Sequence, residues 1–407
     1  MAEDLAVWLY GDRVAVVDQE RGRPRLTYTP TALERYALGT PLLSLALPVR
    51  PERHTQGVVR PFLDGLLPEG QSRLAVANDF DLSPRDTFGL IRAIGRDCAG
   101  AIVIQPAEEG APPPPSTTSA EPLTPDDIEQ LVQNLRTAPL GVDERVRLSL
   151  GGVQEKLLLT RMPDGSWGRP VDGTPSTHII KPEIARFPGT VENEAFCMRV
   201  AKNLGLDVAE VDVVTIGSRK LLSVTRYDRI VHADGALERV HQEDFCQAFA
   251  IPPEEKYEQD GGPSFRRIAS TVIGVAIPGS VIDLAKAMVV HTLVGNGDAH
   301  GKNFSLIHDP SGALRLAPLY DVVCTLRYGD DRLALFIDNE HRTNRVTAAR
   351  LSNEIEAWGM SHSDAETIVG DLLKRSGDAI AAARDETSGV SEEIVATVES
   401  QRHQLLS

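Results

Sequence analysis

Gly295-Asn-Gly-Asp298-Ala-His300-Gly-Lys-Asn303, continued by Phe304-Ser-Leu-Ile, a turn at Asp309-Pro-Ser-Gly, Leu314-Arg-Leu and Pro318-Leu-Tyr-Asp321, is the stretch from which the rest of this chain can be read. Three glycines in the seven residues from Gly295 break the helix that the periodicity predicts over 284–293 and force a tight loop presenting Asp298, His300 and Asn303. The hairpin that follows returns Asp321 beside that loop. An Asp, four intervening residues, an Asn, a hairpin and a second Asp make the layout that phosphoryl transfer requires. One acceptor orients an attacking hydroxyl, and oxygen ligands hold magnesium against nucleotide phosphates. The spacing points to Asp298 as the base and to Asn303 and Asp321 as the metal ligands. Asp and Asn beside glycine are also ordinary turn residues; the helix before, the hairpin after and the Asp at its end favour catalysis. His300 either touches phosphate or orders the loop.

Upstream, the alternation in Thr177-His-Ile-Ile-Lys181 places Lys181 on the face of Thr177 and Ile179. An inward lysine needs an acid. The helix predicted over 191–204 offers Glu194, with Glu192 as the alternative, while Phe196, Val200 and Leu204 form its packing stripe. The order of lysine, helix glutamate and Asp298 favours a cation on nucleotide phosphates over a strand-end charge in solvent. Ser149-Leu-Gly151-Gly152-Val-Gln-Glu-Lys is a second glycine feature. Its bare amides suit phosphate as a backbone nest does, and Gly-Gly between two apolar runs equally suits a hairpin turn. The Gly-Lys-Ser/Thr ending of a Walker motif is absent.

Further outward, Leu5-Ala-Val-Trp-Leu-Tyr and Arg13-Val-Ala-Val-Val read as strands around Gly11-Asp12. With Phe62-Leu-Asp-Gly-Leu-Leu-Pro, a helix over 85–94 and a strand over 99–104, they make a β-containing first module, 1–105. Residues 106–123, rich in proline and small polar residues, read as an extended linker. Residues 124–226 complete a β-rich lobe, opening with a helix whose N-cap is Thr124 and whose first residue is Pro125. Strands follow at 145–150, 156–160, 178–181, 211–216 and 220–225. Residues 227–407 read as a mainly α-helical lobe carrying the catalytic and metal loops. The class is α+β in two lobes.

The bulk properties set limits on function. A chain of 407 residues exceeds what one core usually supports, and 42% hydrophobic with 25% charged residues suits a globular protein. The longest apolar runs fall far below the roughly 20 residues that cross a bilayer, and the start Met-Ala-Glu-Asp lacks a secretory pattern. A cytoplasmic protein with no membrane partner is expected. Cys98, Cys197, Cys246 and Cys324 show no zinc spacing and read as buried thiols. A net charge of −16 argues against general attachment to nucleic-acid phosphates.

These residues resemble the HipA family of bacterial serine/threonine kinases, the toxin members of toxin-antitoxin pairs. The likeness runs through Phe62-Leu-Asp-Gly-Leu-Leu-Pro, Gly95-Arg-Asp-Cys-Ala-Gly-Ala, the Ser149 glycine motif and Val224-Thr-Arg-Tyr-Asp-Arg. It continues in His241-Gln-Glu-Asp-Phe-Cys-Gln-Ala-Phe, Lys256-Tyr-Glu-Gln-Asp-Gly-Gly-Pro, Gly297-Asp-Ala-His-Gly-Lys-Asn and Leu319-Tyr-Asp. The resemblance implies a two-lobed kinase-like fold with ATP and Mg2+ in the cleft. It implies Asp298 as base, Asn303 and Asp321 on magnesium, Lys181 on phosphate, and Thr225 to Tyr227 as the segment between lobes that receives adenine. It also implies autophosphorylation of Ser149, a HipB-like helix-turn-helix antitoxin through which alone DNA is reached, and growth arrest. The protein substrate it suggests is an aminoacyl-tRNA synthetase acting on glutamate. Asn-Gly before Asp298, and Tyr-Asp-Val at Asp321, depart from the His-Arg and Asp-Phe-Gly of eukaryotic protein kinases. Two other functions fit less of the pattern: a small-molecule phosphotransferase of the aminoglycoside or choline kinase kind, sharing Gly-Asp-x-His-x-x-Asn, and a catalytically silent ATP-binding partner of a repressor.

Overall fold

The computed structural model describes residues 4–135, 138–140, 149–152, 154–171, 173–309 and 311–407. The strand expected over 145–150 falls largely outside them. The chain forms two compact units whose segments interleave along the sequence: Met1–Pro182 with Thr215–Glu254 and His308–Gly312, and Glu183–Val214 with Glu255–Ile307 and Ala313–Ser407.

In the first unit an antiparallel sheet has the order Arg23–Tyr28, Asp12–Glu20, Leu5–Leu9, Ile102–Pro106. Leu5 faces Val17 on one side and Pro106 on the other. Helices Gln56–Leu66 and Thr87–Ile94 pack on this sheet. Leu5, Val17, Leu26, Phe62, Leu66 and Ile91 close a core from which water is excluded.

A second sheet of the same unit contains Glu121–Pro122, Trp167–Arg169, Leu157–Arg161, His178–Pro182 and Arg219–Thr225 in that order. Lys181 lies opposite Leu222 in its register. The proline-rich stretch feeds this sheet and is docked throughout its second half. Thr117 is fully buried and its N–H donates to Gly235 O at 2.9 Å, Leu237 N donates to Pro115 O, and Glu121–Pro122 pairs with Trp167–Arg169. Proline contributes no N–H, so the docking uses the amide of Thr117 and the carbonyl of Pro115. After it comes helix Pro125–Gln133 with a reciprocal capping box between Thr124 and Asp127.

The second unit is mainly helical: Thr190–Asn203, Phe265–Val275, Ser280–Leu293, Ala348–Ala357, His362–Glu386 and Glu392–Leu406. Phe196, Val200, Met288, Leu351, Leu372 and Val398 are among its buried side chains. The hairpin strands Ser305–His308 and Leu314–Leu316 follow the long helix Ser280–Leu293.

The units divide elsewhere than at 226/227, for physical reasons visible in each. Helix Thr190–Asn203 packs on His362–Glu386 and so belongs with the helices. Residues 227–254 stay with the β-rich unit because Asp228, Arg229 and Arg239 join Asp97 in a buried ion cluster. Among the described residues no helix is long and apolar enough to cross a membrane, and all four cysteines are buried and free.

Candidate active site

Helix Ser280–Leu293 ends as the glycine predicts. Gly295, at φ +70°, donates to Thr292 O, and Asn296 N donates to His291 O at 2.8 Å, which is a Schellman closure. Gly297 admits no side chain, because a Cβ there would meet Arg332 O at 2.3 Å. Its N–H donates to Thr325 Oγ1 at 2.8 Å and its carbonyl accepts from Ala334 N. The loop is therefore seated on the 325–334 segment before it reaches Asp298.

The Asn296 side chain joins the two acidic segments. Its Oδ1 accepts from Asp298 N at 3.0 Å, while its Nδ2 donates to Asp321 O at 3.4 Å and to His291 Nδ1 at 3.0 Å. Since the amide nitrogen is the donor, His291 Nδ1 accepts and the ring is neutral. Burial supports this, holding the His291 pKa down to about 4. Asn303 Nδ2 donates to Asp298 O at 3.0 Å, leaving Oδ1 as the acceptor end of that amide. Asp321 sits at φ +58°, a left-handed conformation that aspartate tolerates better than most side chains.

Asp298 Oδ1 accepts from Tyr257 Oη at 2.8 Å. Burial pushes the Asp298 carboxyl up to about 6, Asp321 adds to the rise, and Tyr257 and Lys256 oppose it. The Tyr257 ring also meets His300 edge-on, with centroids 5.4 Å apart, and Lys256 O accepts from Gly301 N. Lys256 and Tyr257 thus brace the loop from a segment distant in sequence. His300 is buried, and among the described residues its Nδ1 has no hydrogen-bond partner. Burial, with Lys256 next, lowers its pKa to about 3, so it is neutral at physiological pH. Tyr320 Oη donates to Lys302 O at 2.7 Å, tying the loop's end to the residue before Asp321.

Among the described residues no cluster of three or more His, Cys, Asp or Glu could hold a metal by itself. Asn303 and Asp321 supply an amide and a carboxylate oxygen. That donor set suits magnesium, which keeps its remaining positions for phosphate and water. The unpartnered His300 Nδ1 is a buried polar atom of the kind that a bound anion satisfies.

The other sequence-derived positions lie in the first unit. Lys181 is buried at the end of its strand, 7% exposed, which removes the solvent-facing alternative. Ser149 is fully buried; its Oγ donates to Leu66 O at 2.6 Å and its N to Asp97 O at 3.0 Å. Gly152, at φ +112°, needs the freedom that glycine has. Thr225 ends a strand, with its hydroxyl 3.3 Å from His178 Nε2, and Tyr227 Oη is bonded to Gln242 Oε1. The resemblance placed Thr225 to Tyr227 between lobes. Here that segment lies inside the first unit, which the chain leaves after Glu254. The reason is Arg226, whose guanidinium is buried between Asp97 and Asp228.

Sequence reading gave no role to Asn296, Tyr257 or the Asp97 cluster. A usable signal existed only for the last, as paired Asp and Arg residues in two quoted motifs.

Two family descriptions match this chain, the HipA N-terminal domain over residues 5–105 and the HipA-like C-terminal domain over 148–380. Y4mE of Sinorhizobium fredii, described as a candidate kinase, is 40% identical over 94% of this chain and 92% of its own. The serine/threonine-protein kinase toxin HipA of Shewanella oneidensis is 33% identical over 80% of this chain and 77% of its own. A solved Shewanella oneidensis toxin-antitoxin complex of HipA, HipB and operator DNA contains a chain that superposes with a TM-score of 0.84 at 29% identity. The match covers 99% of this chain and 96% of that one.

Proposed function

This chain belongs to the HipA family of kinases, and from that premise we propose that it is an ATP- and magnesium-dependent serine/threonine protein kinase, a growth-arresting toxin restrained by a HipB-like helix-turn-helix antitoxin. The observation that carries the chemistry is the Asn296 amide, which holds Asp298 N and Asp321 O at once. It makes the catalytic and metal-binding segments one assembly. A pair of unrelated turns would have no such tie.

Magnesium and ATP, when bound, supply the phosphoryl group and neutralise its charge. Asp298 orients the acceptor hydroxyl and takes its proton, with Tyr257 fixing the carboxylate through Oδ1. Asn303 and Asp321 hold the cation. His300, Lys181 and the amides of Gly151 and Gly152 serve the phosphates, and the backbone from Thr225 to Tyr227 receives adenine. The acceptor is a protein hydroxyl, for which an aminoacyl-tRNA synthetase acting on glutamate is the first candidate to assay. The Shewanella relative was solved with HipB and operator DNA, which supports an antitoxin partner here; that DNA is reached only through that partner rests on the net charge of −16.

Ser149 is the proposed site of self-inactivation. Its hydroxyl is fully buried and donates to Leu66 O. A phosphate carrying about −1.5 to −2 charge cannot make that bond or stay in that place, so modification expels the loop. Intact-mass and peptide mass spectrometry of the parent and of Asp298→Asn tests the whole reading. Phosphate on Ser149 in the parent, absent from the variant, is expected; an active parent without it removes the self-inactivation step. Saturating ATP with magnesium is expected to stabilise the parent by about 2.7 kcal/mol at a hundredfold excess over Kd, and to stabilise Asp321→Ala less. No stabilisation of the parent would sink the kinase assignment.

A further inference from the structure

The glycine loop is held from within by one bond, Lys156 Nζ donating to Gly151 O at 2.7 Å, and otherwise from outside. Gly151 and Gly152 have more conformational freedom to lose than any other residue, and Gly152 sits in a left-handed conformation. What fixes Gly152 comes from the first module. Glu69 N donates to Gly152 O at 3.1 Å, and Gly152 N donates to Glu69 Oε1 at 3.2 Å. Pro68 and Gly152 form a parallel bridge, and the Ser149 hydroxyl donates to Leu66 O at 2.6 Å. Residues Leu66 to Glu69 thus meet the loop at both of its ends.

Glu69 stands at the N-cap of helix Gly70–Asp79, where a side chain ordinarily accepts from its own helix. It makes no such bond. Its carboxylate goes to the glycine loop. The turn that carries it is rigid in its own right. Asp64 accepts from Arg73 Nη2 at 2.7 Å and from Thr87 Oγ1 at 2.6 Å, tying three helices together around the turn. Gln247 Nε2 donates to Phe62 O at 3.0 Å, and a Cβ at Gly65 would strike Gln247 Cγ at 2.5 Å. The loop is hydrogen-bonded to a braced turn, and of the two bonds with Glu69 the one to its carboxylate is the part of that seat made by a replaceable side chain.

We propose that Glu69 is a positioning residue for nucleotide binding: its backbone and carboxylate clasp Gly152 and hold the glycine loop in place, so that the first module acts as the seat of the phosphate loop. This rests on reading Ser149 to Gly152 as that loop. The alternative role for a carboxylate on a loop amide is to block it, by occupying an N–H that a phosphate would otherwise take. The two roles predict opposite changes in ATP affinity.

The experiment uses the full-length protein with Glu69→Ala and Glu69→Gln, the latter keeping an acceptor oxygen at the same place. Hydrogen exchange of a peptide containing residues 149–152 is followed without nucleotide, and KM for ATP and kcat are measured in parallel with the melting temperature. In Glu69→Ala, exchange is expected to rise about tenfold, the factor that one hydrogen bond of ordinary net worth carries. KM for ATP should rise severalfold with kcat nearly unchanged, and Glu69→Gln should restore both. Unchanged exchange in Glu69→Ala overturns the clasp, whatever the kinetics. A lower KM overturns positioning in favour of blockade. Faster exchange with an unchanged KM removes the phosphate role of the loop, and the positioning role with it, while the hydrogen bonds themselves stand.

Discussion

Asp97 and Asp298 are both carboxylates withdrawn from bulk water, and their surroundings push them in opposite directions. Asp97 is fully buried, and burial alone would raise its pKa; Arg229, Arg239 and Arg226 outweigh that and hold it well below the usual range. Ser176 adds two hydrogen bonds to Oδ2, at 2.9 and 2.7 Å. Among the described residues no arginine is ion-paired with Asp298. Burial, with Asp321 adding to it, lifts its carboxyl to about 6 against the opposing hydrogen bond from the Tyr257 hydroxyl. A carboxylate saturated with cations is architecture, because any proton or ligand must first displace them. A carboxylate raised toward neutral pH, with one oxygen braced, is equipped to take a proton.

The contrast is broken most sharply by making the same substitution at both places. Asp298→Asn should cost phosphoryl transfer about 10²- to 10⁴-fold, the range for a lost general base, with little change in the denaturation midpoint. Asp97→Asn should do the reverse to the fold: removing one partner of a buried ion network typically costs about 3–5 kcal/mol. Chemical denaturation followed by circular dichroism, beside a transfer assay, reads both. Equal destabilisation by the two substitutions would erase the distinction between architecture and chemistry.

Acid sharpens it next. Arg226 and Arg229 outweigh burial at Asp228 and lower its pKa to about 2, and Asp97 is lowered as well. A depressed folded pKa gives stability that is fully present above the unfolded value of about 3.9 and is lost as pH falls through the folded value. The share of stability carried by these two carboxylates should be flat from neutral pH to about pH 5 and fall steadily between about pH 4 and 2, with Asp228 alone worth about 2 kcal/mol over that window. It comes on top of a separate loss that begins near about pH 6.5, where His291 and His300, held neutral by burial in the fold, take up protons once unfolded. Asp97→Asn should flatten this slope. An unchanged slope would place the acid sensitivity elsewhere.

How much of this was legible in the sequence depends on distance along the chain. The loop from Gly295 to Asn303, its hairpin and the Thr124 cap were readable because each is fixed by neighbours within a few residues. Lys181 came from alternation in one strand. Asn296 looked like a turn residue beside glycine, and only the return of Asp321 reveals it as a bridge. The Asp97 cluster joins arginines more than a hundred residues away; the Asp and Arg residues of the two motifs hint at charge there, but nothing local says which of them pair. The cluster is also what holds 227–254 with the β-rich unit. The proline-rich stretch misled for a related reason: composition shows that it cannot make a core, but not that strands elsewhere will accept its amides.

The smallest effect is the most specific. Tyr257 lies 41 residues before Asp298 in sequence, and the contact between them is one hydroxyl on Oδ1. Tyr257→Phe keeps the ring, so the edge-on contact with His300 is preserved and the fold should be unaffected. What is removed is one hydrogen bond to a carboxylate, which in a partly buried place is worth about 1.5–3 kcal/mol. Some of that is recovered by water reaching Oδ1, so a fall in kcat of about tenfold is expected, corresponding to about 1.4 kcal/mol. Because the tyrosine orients the base and does not hold nucleotide, KM for ATP should stay near the parent value. A rise in KM with kcat unchanged would move Tyr257 from the base to the nucleotide.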